Sequence, residues 1–295
     1  MDERTTNSIS VDTITQAVQA TWQGTRDPRL RQLLTDLVPY LHDYVRSTKL
    51  THADWLAGID FLMKVGAISD ANRNEFSLLS DVLGITSLVD LQNATPGATV
   101  GSVLGPFYVD NSPLLPLGGD LVKENSGDVV LLCGAVRDQD DNPLKGATID
   151  LWQTDIRGQY AVADSTQEHN NLRCRQNCDD HGNYWLTTVL PAPYSIPMDG
   201  PVGHLFKDVG RSEWRPAHYH FIVRAPGARP IITEVFFRGG AYVEGDAVFG
   251  VRAPLIVSIE DVSDQTVLPK PLERRPAKCI RFNFKLAAEA GAQIR

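Results

Sequence analysis

The segment Arg215-Pro-Ala-His218-Tyr-His220-Phe-Ile-Val223 carries the sharpest chemical signal in the chain. On a β-strand successive side chains point to opposite faces, so His218 and His220 share one face and Tyr219 takes the other. Two adjacent imidazoles make half a metal site, and what completes them selects the metal. The His-Glu-x-x-His arrangement of a zinc hydrolase is absent, and the His-x-Asp/Glu pair of the ferrous oxygenases has His220 where the carboxylate belongs. The polar aromatics left over are Tyr160, which ends Trp152-Gln-Thr-Asp-Ile-Arg-Gly-Gln-Tyr160, and Tyr194, within Pro191-Ala-Pro-Tyr194-Ser-Ile-Pro197. A phenolate is a hard anionic donor suited to a hard trivalent ion such as Fe(III), and two phenolates with two imidazoles would hold ferric iron and resist its reduction. Taken singly, each histidine reads equally as a hydrogen-bonded core residue and each tyrosine as an amphipathic sandwich residue.

A second group of metal-ligand types, His169, Cys174, Cys178 and His181, falls within thirteen residues. Its Cys-x-x-x-Cys spacing is within zinc-finger range, but the stretch is polar and turn-rich, and we read spare thiols rather than structural zinc. Gly97-x-x-x-Gly101-x-x-x-Gly105 lacks the Lys-Ser/Thr of a phosphate loop, and the chain has no dinucleotide fingerprint.

The elements that must position these residues separate along the chain. Leu30, Leu33, Leu34, Leu37, Leu41, Tyr44 and Val45 form an apolar stripe at helical spacing, with Pro39 set to kink the helix. Thr51 and Asp54 imitate a capping box ahead of a second helix, and a third is predicted from Asp70 to Leu83. So apolar a stripe suggests burial against the β-rich part or a second subunit. From Asp128 onward, β-rich runs alternate with Gly, Pro and Asp turns. The predicted strands are Val129–Val136, Ala147–Gln153, Gln159–Val162, Asn183–Val189, Ala217–Val223, Ile231–Phe237, Pro254–Ile259 and Lys278–Phe284. The fold class is therefore mixed: a helical domain over residues 1–96, then an all-β two-sheet sandwich over residues 97–295 that carries the metal site.

The 295 residues carry 28 basic and 36 acidic side chains, a net charge of −8, with no basic run, which disfavours nucleic acid and anionic membranes as partners. The polar start lacks a signal-peptide core and no stretch is apolar enough to span a bilayer, so the chain reads as cytoplasmic. Four cysteines are too few for a disulfide framework.

Taken in order, Gly146-Ala-Thr-Ile-Asp-Leu-Trp152, Gly158-Gln-Tyr160, Asp180-His-Gly-Asn-Tyr184, Pro191-x-x-Tyr194 and Arg215-Pro-x-His218-x-His220 resemble the intradiol ring-cleaving dioxygenases over about residues 95–257. The resemblance implies one Fe(III) per subunit on Tyr160, Tyr194, His218 and His220, with Tyr194 leaving the metal as a base when substrate chelates and Arg215 stabilising developing negative charge. It implies a small aromatic diol or triol and O2 as reactants and a muconate-type dicarboxylate as product. The helical part resembles the family's dimerising linker, which implies a homodimer through the helices, with phospholipid at the interface in some relatives. Val103-Leu-Gly-Pro-Phe-Tyr108 and Asp246-Ala-Val-Phe-Gly-Val251 look more like the hydroxyquinol-cleaving branch than the catechol or chlorocatechol branches. The ring pocket implied comprises Leu78, Asp81, Leu104, Gly105, Pro106, Phe107, Ile196, Pro197, Arg215 and Val248. Asp81 would accept a hydrogen bond from a third ring hydroxyl, and a site built for that hydroxyl disfavours an analogue without it. Glu234 stands where catechol-type relatives commonly carry Gln, which leaves its effect on the metal's surroundings open. Without the tyrosine and histidine tetrad, the stretch from Cys133 to Thr148 would read as a transthyretin-like binding sandwich.

Overall fold

The computed structural model describes residues 9–70 and 73–289, and its contacts divide the chain into two compact units between Lys64 and Val65. The division at residue 96 separates element types, whereas packing groups the last two N-terminal helices with the sheets.

The first unit contains α1 (Ile14–Thr21), α2 (Pro28–Thr48) and most of α3 (His52–Ile68). Asp27 caps α2 by accepting from Arg29 N and Leu30 N at 2.8 and 3.2 Å, with Pro28 in the first turn where its missing N–H costs nothing. The helix runs through Pro39 as one element. The carbonyl of Thr35, left without its usual donor four residues on, accepts instead from Gln19 Nε2 at 2.8 Å, which ties α1 to α2. Thr51 and Asp54 do form a reciprocal cap at the start of α3. The apolar stripe of α2 lies open: Leu30, Leu33, Leu37, Leu41, Tyr44 and Val45 are all exposed.

Among its described residues the second unit adds α4 (Glu75–Val82), α5 (Ile85–Gln92) and α6 (Pro201–Val209) to twelve strands. These are β1 (Val129–Asp138), β2 (Thr148–Trp152), β3 (Arg173–Asn177), β4 (Asn183–Val189), β5 (Tyr194–Ser195), β6 (Trp214–Arg215), β7 (His218–Arg224), β8 (Ile231–Phe237), β9 (Ile256–Val257), β10 (Glu260–Asp261), β11 (Lys278–Arg281) and β12 (Phe284–Leu286). One sheet runs β10-β11-β1-β12 with β4 also on β1, the other runs β3-β2-β7-β8-β9, and β5 pairs with β6 apart from both. The core lies between the two large sheets, where Val130, Leu132 and Leu186 of the first meet Ile149, Leu151, Tyr219, Phe221 and Val235 of the second. The chain is thus a helical segment followed by a two-sheet sandwich.

Several predicted boundaries move. Gln159–Val162 is a loop, because Asp155 closes a turn onto Arg157 N and Gln159 N and Gly158 has a positive φ of 79°. Pro254–Ile259 is one turn of 3₁₀ helix followed by the two-residue β9, and Lys278–Phe284 divides into β11 and β12. The third predicted helix starts at Glu75 rather than Asp70, with Asn74 accepting from Ser77 N at 3.0 Å as its cap. The sequence pattern does not reveal strands β3, β5, β6 and β10 or helices α1, α5 and α6. Among the described residues no helix is long and apolar enough to cross a membrane.

Candidate metal centre and ring pocket

Strand alternation splits β7 as its sequence requires: Tyr219, Phe221 and Val223 enter the sandwich core, while His218 and His220 stand on the outer face of the same sheet. The strand register then lays a row across four strands of that face. Arg173 on β3 opposes Trp152 on β2, Trp152 opposes His220 on β7, and His220 opposes Glu234 on β8. Directly opposed residues share a face, and all four are at most 2% exposed. Trp152, a buried residue outside the cavity lining, lies flat on His220 with ring centroids 4.7 Å apart and planes 3° from parallel.

Two loops bring the tyrosines to this face. Tyr160 follows the turn at Asp155 and Gly158, and a Cβ on Gly158 would sit 2.7 Å from the Pro193 carbonyl, so only glycine lets the loops of Tyr160 and Tyr194 touch here. Tyr194 opposes Arg215 in the short β5–β6 ladder, which sets phenol and guanidinium side by side. The donor atoms converge: His218 Nε2 and His220 Nε2 are 3.0 Å apart, Tyr160 Oη is 3.0 Å from His220 Nε2 and 3.4 Å from His218 Nε2, and Arg215 Nη1 donates to Tyr194 Oη at 3.3 Å. Ligand atoms about 2.0–2.1 Å from a shared tetrahedral ion stand about 3.3 Å from one another, so this spacing fits a common ion. The ring N–H of His218 at Nδ1 donates to the Pro216 carbonyl at 2.7 Å, which leaves the Nε2 lone pair facing inward.

Burial shapes the ionisation. It pushes His218 down to about 4, with Arg215 adding to the shift, and it pushes His220 further down with help from His218, so both rings are neutral donors. Burial also raises the phenols of Tyr160 and Tyr194, and for Tyr194 the Arg215 charge opposes that rise. Burial would raise Glu234 too, but Arg215 and the two histidines outweigh it and hold the carboxyl at about 2. Arg215 pairs with Asp246 through two bonds of 3.0 and 3.2 Å and reaches Glu234 Oε1 at 2.8 Å, while Ser102 Oγ donates to Glu234 Oε2 at 2.5 Å. Gly250 closes this cluster, since a Cβ there would lie 2.7 Å from Glu234 Oε2 and 2.8 Å from Arg215 Nη2.

His218, His220 and Glu234 also form a group whose ligand atoms lie within 4.8 Å of one another. Glu234 Oε1 is 3.3 Å from His218 Nε2 and 3.4 Å from His220 Nδ1, but it also pairs with Arg215 at 2.8 Å and the other carboxylate oxygen accepts from Ser102, whereas His220 Nε2 faces Tyr160. The tyrosine-bearing side is thus the better-provisioned one for a metal.

A cavity of about 890 Å³ opens against this centre. Of the predicted pocket residues, Pro106, Phe107, Ile196 and Pro197 line it together with Tyr160 and Tyr194. Phe107 stacks on Tyr160 at 4.4 Å. Gly105, with φ of 70°, stands against the other side of the centre, where a Cβ would be 3.3 Å from His220 Cε1. Leu78, Asp81, Leu104, Arg215 and Val248 do not line this cavity: Leu78, Asp81, Arg215 and Val248 are buried, and Leu104 is partly exposed. Asp81 is pushed up to about 6 by burial, against the pull of a Thr86 hydrogen bond and the Arg215 charge. The group read as spare thiols is dispersed, with Cys174 in the inter-sheet core, His169 and His181 exposed, and all four cysteines free. Asp246, Ser102 and Gly250 were not singled out for the site. An acid followed four residues later by glycine in Asp246-Ala-Val-Phe-Gly250 was the available signal.

Residues 103–288 match the family described as Dioxygenase, and residues 27–99 match the one described as Catechol dioxygenase N terminus. A 6-chlorohydroxyquinol 1,2-dioxygenase of Cupriavidus pinatubonensis is 40% identical over 82% of this chain and 89% of its own length. A catechol 1,2-dioxygenase of Candida albicans is 34% identical over 95% and 93%. The crystal structure of a hydroxyquinol 1,2-dioxygenase from Pseudomonas putida DLL-E4 superposes with a TM-score of 0.84 at 36% identity, covering 95% of this chain and 99% of that one. On this match of sequence and fold along nearly its whole length, the chain is a member of the intradiol ring-cleaving dioxygenase family.

Proposed function

We propose that the chain cleaves hydroxyquinol (1,2,4-trihydroxybenzene) between its vicinal hydroxyl carbons with O2, using one Fe(III) held by Tyr160, Tyr194, His218 and His220. The observation that carries this reading is the approach of the Tyr160 and His218/His220 donors to 3.0–3.4 Å in a buried site, with Tyr194 beside them. Charge supports it independently. The buried charged groups around the donors are Arg173, Arg215, Glu234 and Asp246, which sum to zero, so two tyrosinates would leave the site at −2, a charge that a bound cation offsets. Unbalanced charge in so dry a place is costly.

Bound ferric iron would supply a Lewis-acid site for the two vicinal oxygens and draw on the electron density of the ring for reaction with O2. The chain's own groups do the rest. Tyr194 faces the cavity with its oxygen held by an Arg215 N–H, which places it to accept a proton from a substrate hydroxyl and lets the guanidinium steady the resulting charge. Phe107, Ile196 and Pro197 give the aromatic ring an apolar wall and limit water. On the resemblance we assign Asp81 to the third hydroxyl, the feature by which hydroxyquinol differs from catechol; it is buried outside the cavity lining, so the assignment requires the bound ring to reach past that lining. The hydroxyquinol names among the relatives support this choice, and catechol or chlorocatechol is the alternative substrate.

The open stripe of α2 fits a homodimer formed through the helical unit, with a phospholipid as a further occupant, and the four free thiols fit a cytoplasmic setting. Iron content near one per chain, together with O2 uptake faster on hydroxyquinol than on catechol, tests the proposal. Absence of O2 uptake by the iron-loaded protein with either substrate would overturn it.

A further inference from the structure

Arg173 begins the buried row on the outer face of the second large sheet and is 2% exposed. Among the described residues it forms no ion pair. Its one hydrogen bond runs from Nη2 to the Phe107 carbonyl at 3.0 Å, while Nε and Nη1 have no partner. Trp152 opposes it on β2 and also carries an unpartnered Nε1. The other buried guanidinium, Arg215, holds two carboxylates. A cation left buried without an anion is a strongly unfavourable arrangement, and in folded proteins such charges are paired or serve a site.

The groups whose negative charge would offset it are phenols. Arg173 lies within electrostatic reach of Tyr160 and Tyr108, and the carbonyl that holds it belongs to Phe107, whose ring is stacked on Tyr160. Arg215 bonds directly to Tyr194 and its charge also acts on Tyr160, while Arg173 reaches Tyr160 through Phe107, whose carbonyl it holds and whose ring stacks on that phenol.

We propose that Arg173 is a positioning residue of the metal centre, a fixed positive charge set against the Tyr160 oxygen donor that lowers the energy of that donor's electrons and anchors the segment packed on it. The inference rests on the ferric reading above. A charge that acts on the Tyr160 oxygen more than on the metal, as proposed, holds the donor level down, so its removal should raise that level more than the acceptor level and move the tyrosinate-to-iron absorption band to longer wavelength.

The test compares iron-loaded wild type with Arg173→Lys, Arg173→Gln and Arg173→Met by visible spectrum, iron content and thermal melting of the metal-free forms. Arg173→Gln and Arg173→Met should bind iron with the band moved to longer wavelength, Arg173→Lys should restore most of the wild-type position, and metal-free Arg173→Met should melt no lower than metal-free wild type. A band unmoved in the neutral variants, an equal shift in Arg173→Lys, a lowered melting temperature of metal-free Arg173→Met, or failure of both neutral variants to fold would overturn the inference. A wild type that stays colourless with iron defeats the ferric reading, whereas a coloured wild type whose variants keep its band defeats only the role of Arg173.

Discussion

Trp152 and His220 are stacked face to face at 4.7 Å across the β2–β7 ladder, which makes the orientation of one donor ring a property of the sheet rather than of a loop. The His220 ring is held by that indole on one side and by the glycine at position 105 on another, so its Nε2 is aimed before any ligand arrives. Such prior aiming is what a metal site on a rigid element supplies.

Asp81 separates binding from folding. Substituting Asp81→Ala should lower kcat/KM for hydroxyquinol by roughly tenfold to a hundredfold and leave catechol turnover much less changed, because only the triol loses a partner. Steady-state kinetics on both substrates checks this, and equal losses on the two would contradict it.

The same carboxyl has a pH signature. Its folded pKa of about 6 lies above the ordinary 3.8, so the stability it contributes is present below 3.8 and lost as pH rises through about 6. Asp81→Asn should flatten that slope and raise stability at pH 7 by about 1–3 kcal/mol, as read by urea unfolding across pH.

Gly250 is confined by atoms rather than by its backbone angles. In Gly250→Ala the new methyl would lie 2.7–3.0 Å from Glu234, Arg215 and Asp246 oxygens and nitrogens, all buried and mutually bonded. We expect a loss of about 1–3 kcal/mol in stability and a larger fractional loss in activity, since the shifted group is the one that holds Tyr194. Denaturant melts alongside turnover measure both.

Asp246→Ala removes the bidentate partner of Arg215 and the acceptor of Gly250 N at 2.8 Å. A buried pair broken on one side costs about 3–5 kcal/mol, so this variant should be among the least stable at the site. Chemical unfolding that shows less than about 1 kcal/mol would mean that Glu234 alone suffices for the guanidinium.

Much of this arrangement is legible in the sequence where alternation decides it. The period of two in His218-Tyr-His220 predicts which rings share a face, and β4 and β8 match their predicted ranges. Strand β3 escapes because Arg173-Cys-Arg-Gln-Asn177 has no β-branched or aromatic residue; it is a strand by virtue of its pairing to β2. Tyr160 reads as part of a strand because Gln159–Val162 holds an aromatic and a β-branched residue, but the Asp155 turn and Gly158 act more strongly over so short a run. The contacts of Ser102 with Glu234 and of Arg215 with Asp246 span 132 and 31 residues, separations at which local pattern carries no information. The row from Arg173 to Glu234 is likewise invisible until the registers of three strand pairs are known.

The most direct test of the central claim is the visible spectrum of the iron-loaded protein before and after anaerobic addition of hydroxyquinol. Tyrosinate bound to Fe(III) gives a broad charge-transfer band and a red-brown colour, and we predict that the triol shifts this band to longer wavelength as it displaces Tyr194. A protein that takes up iron yet stays colourless would place the metal on His218, His220 and Glu234 instead and contradict the assignment of Tyr160 and Tyr194.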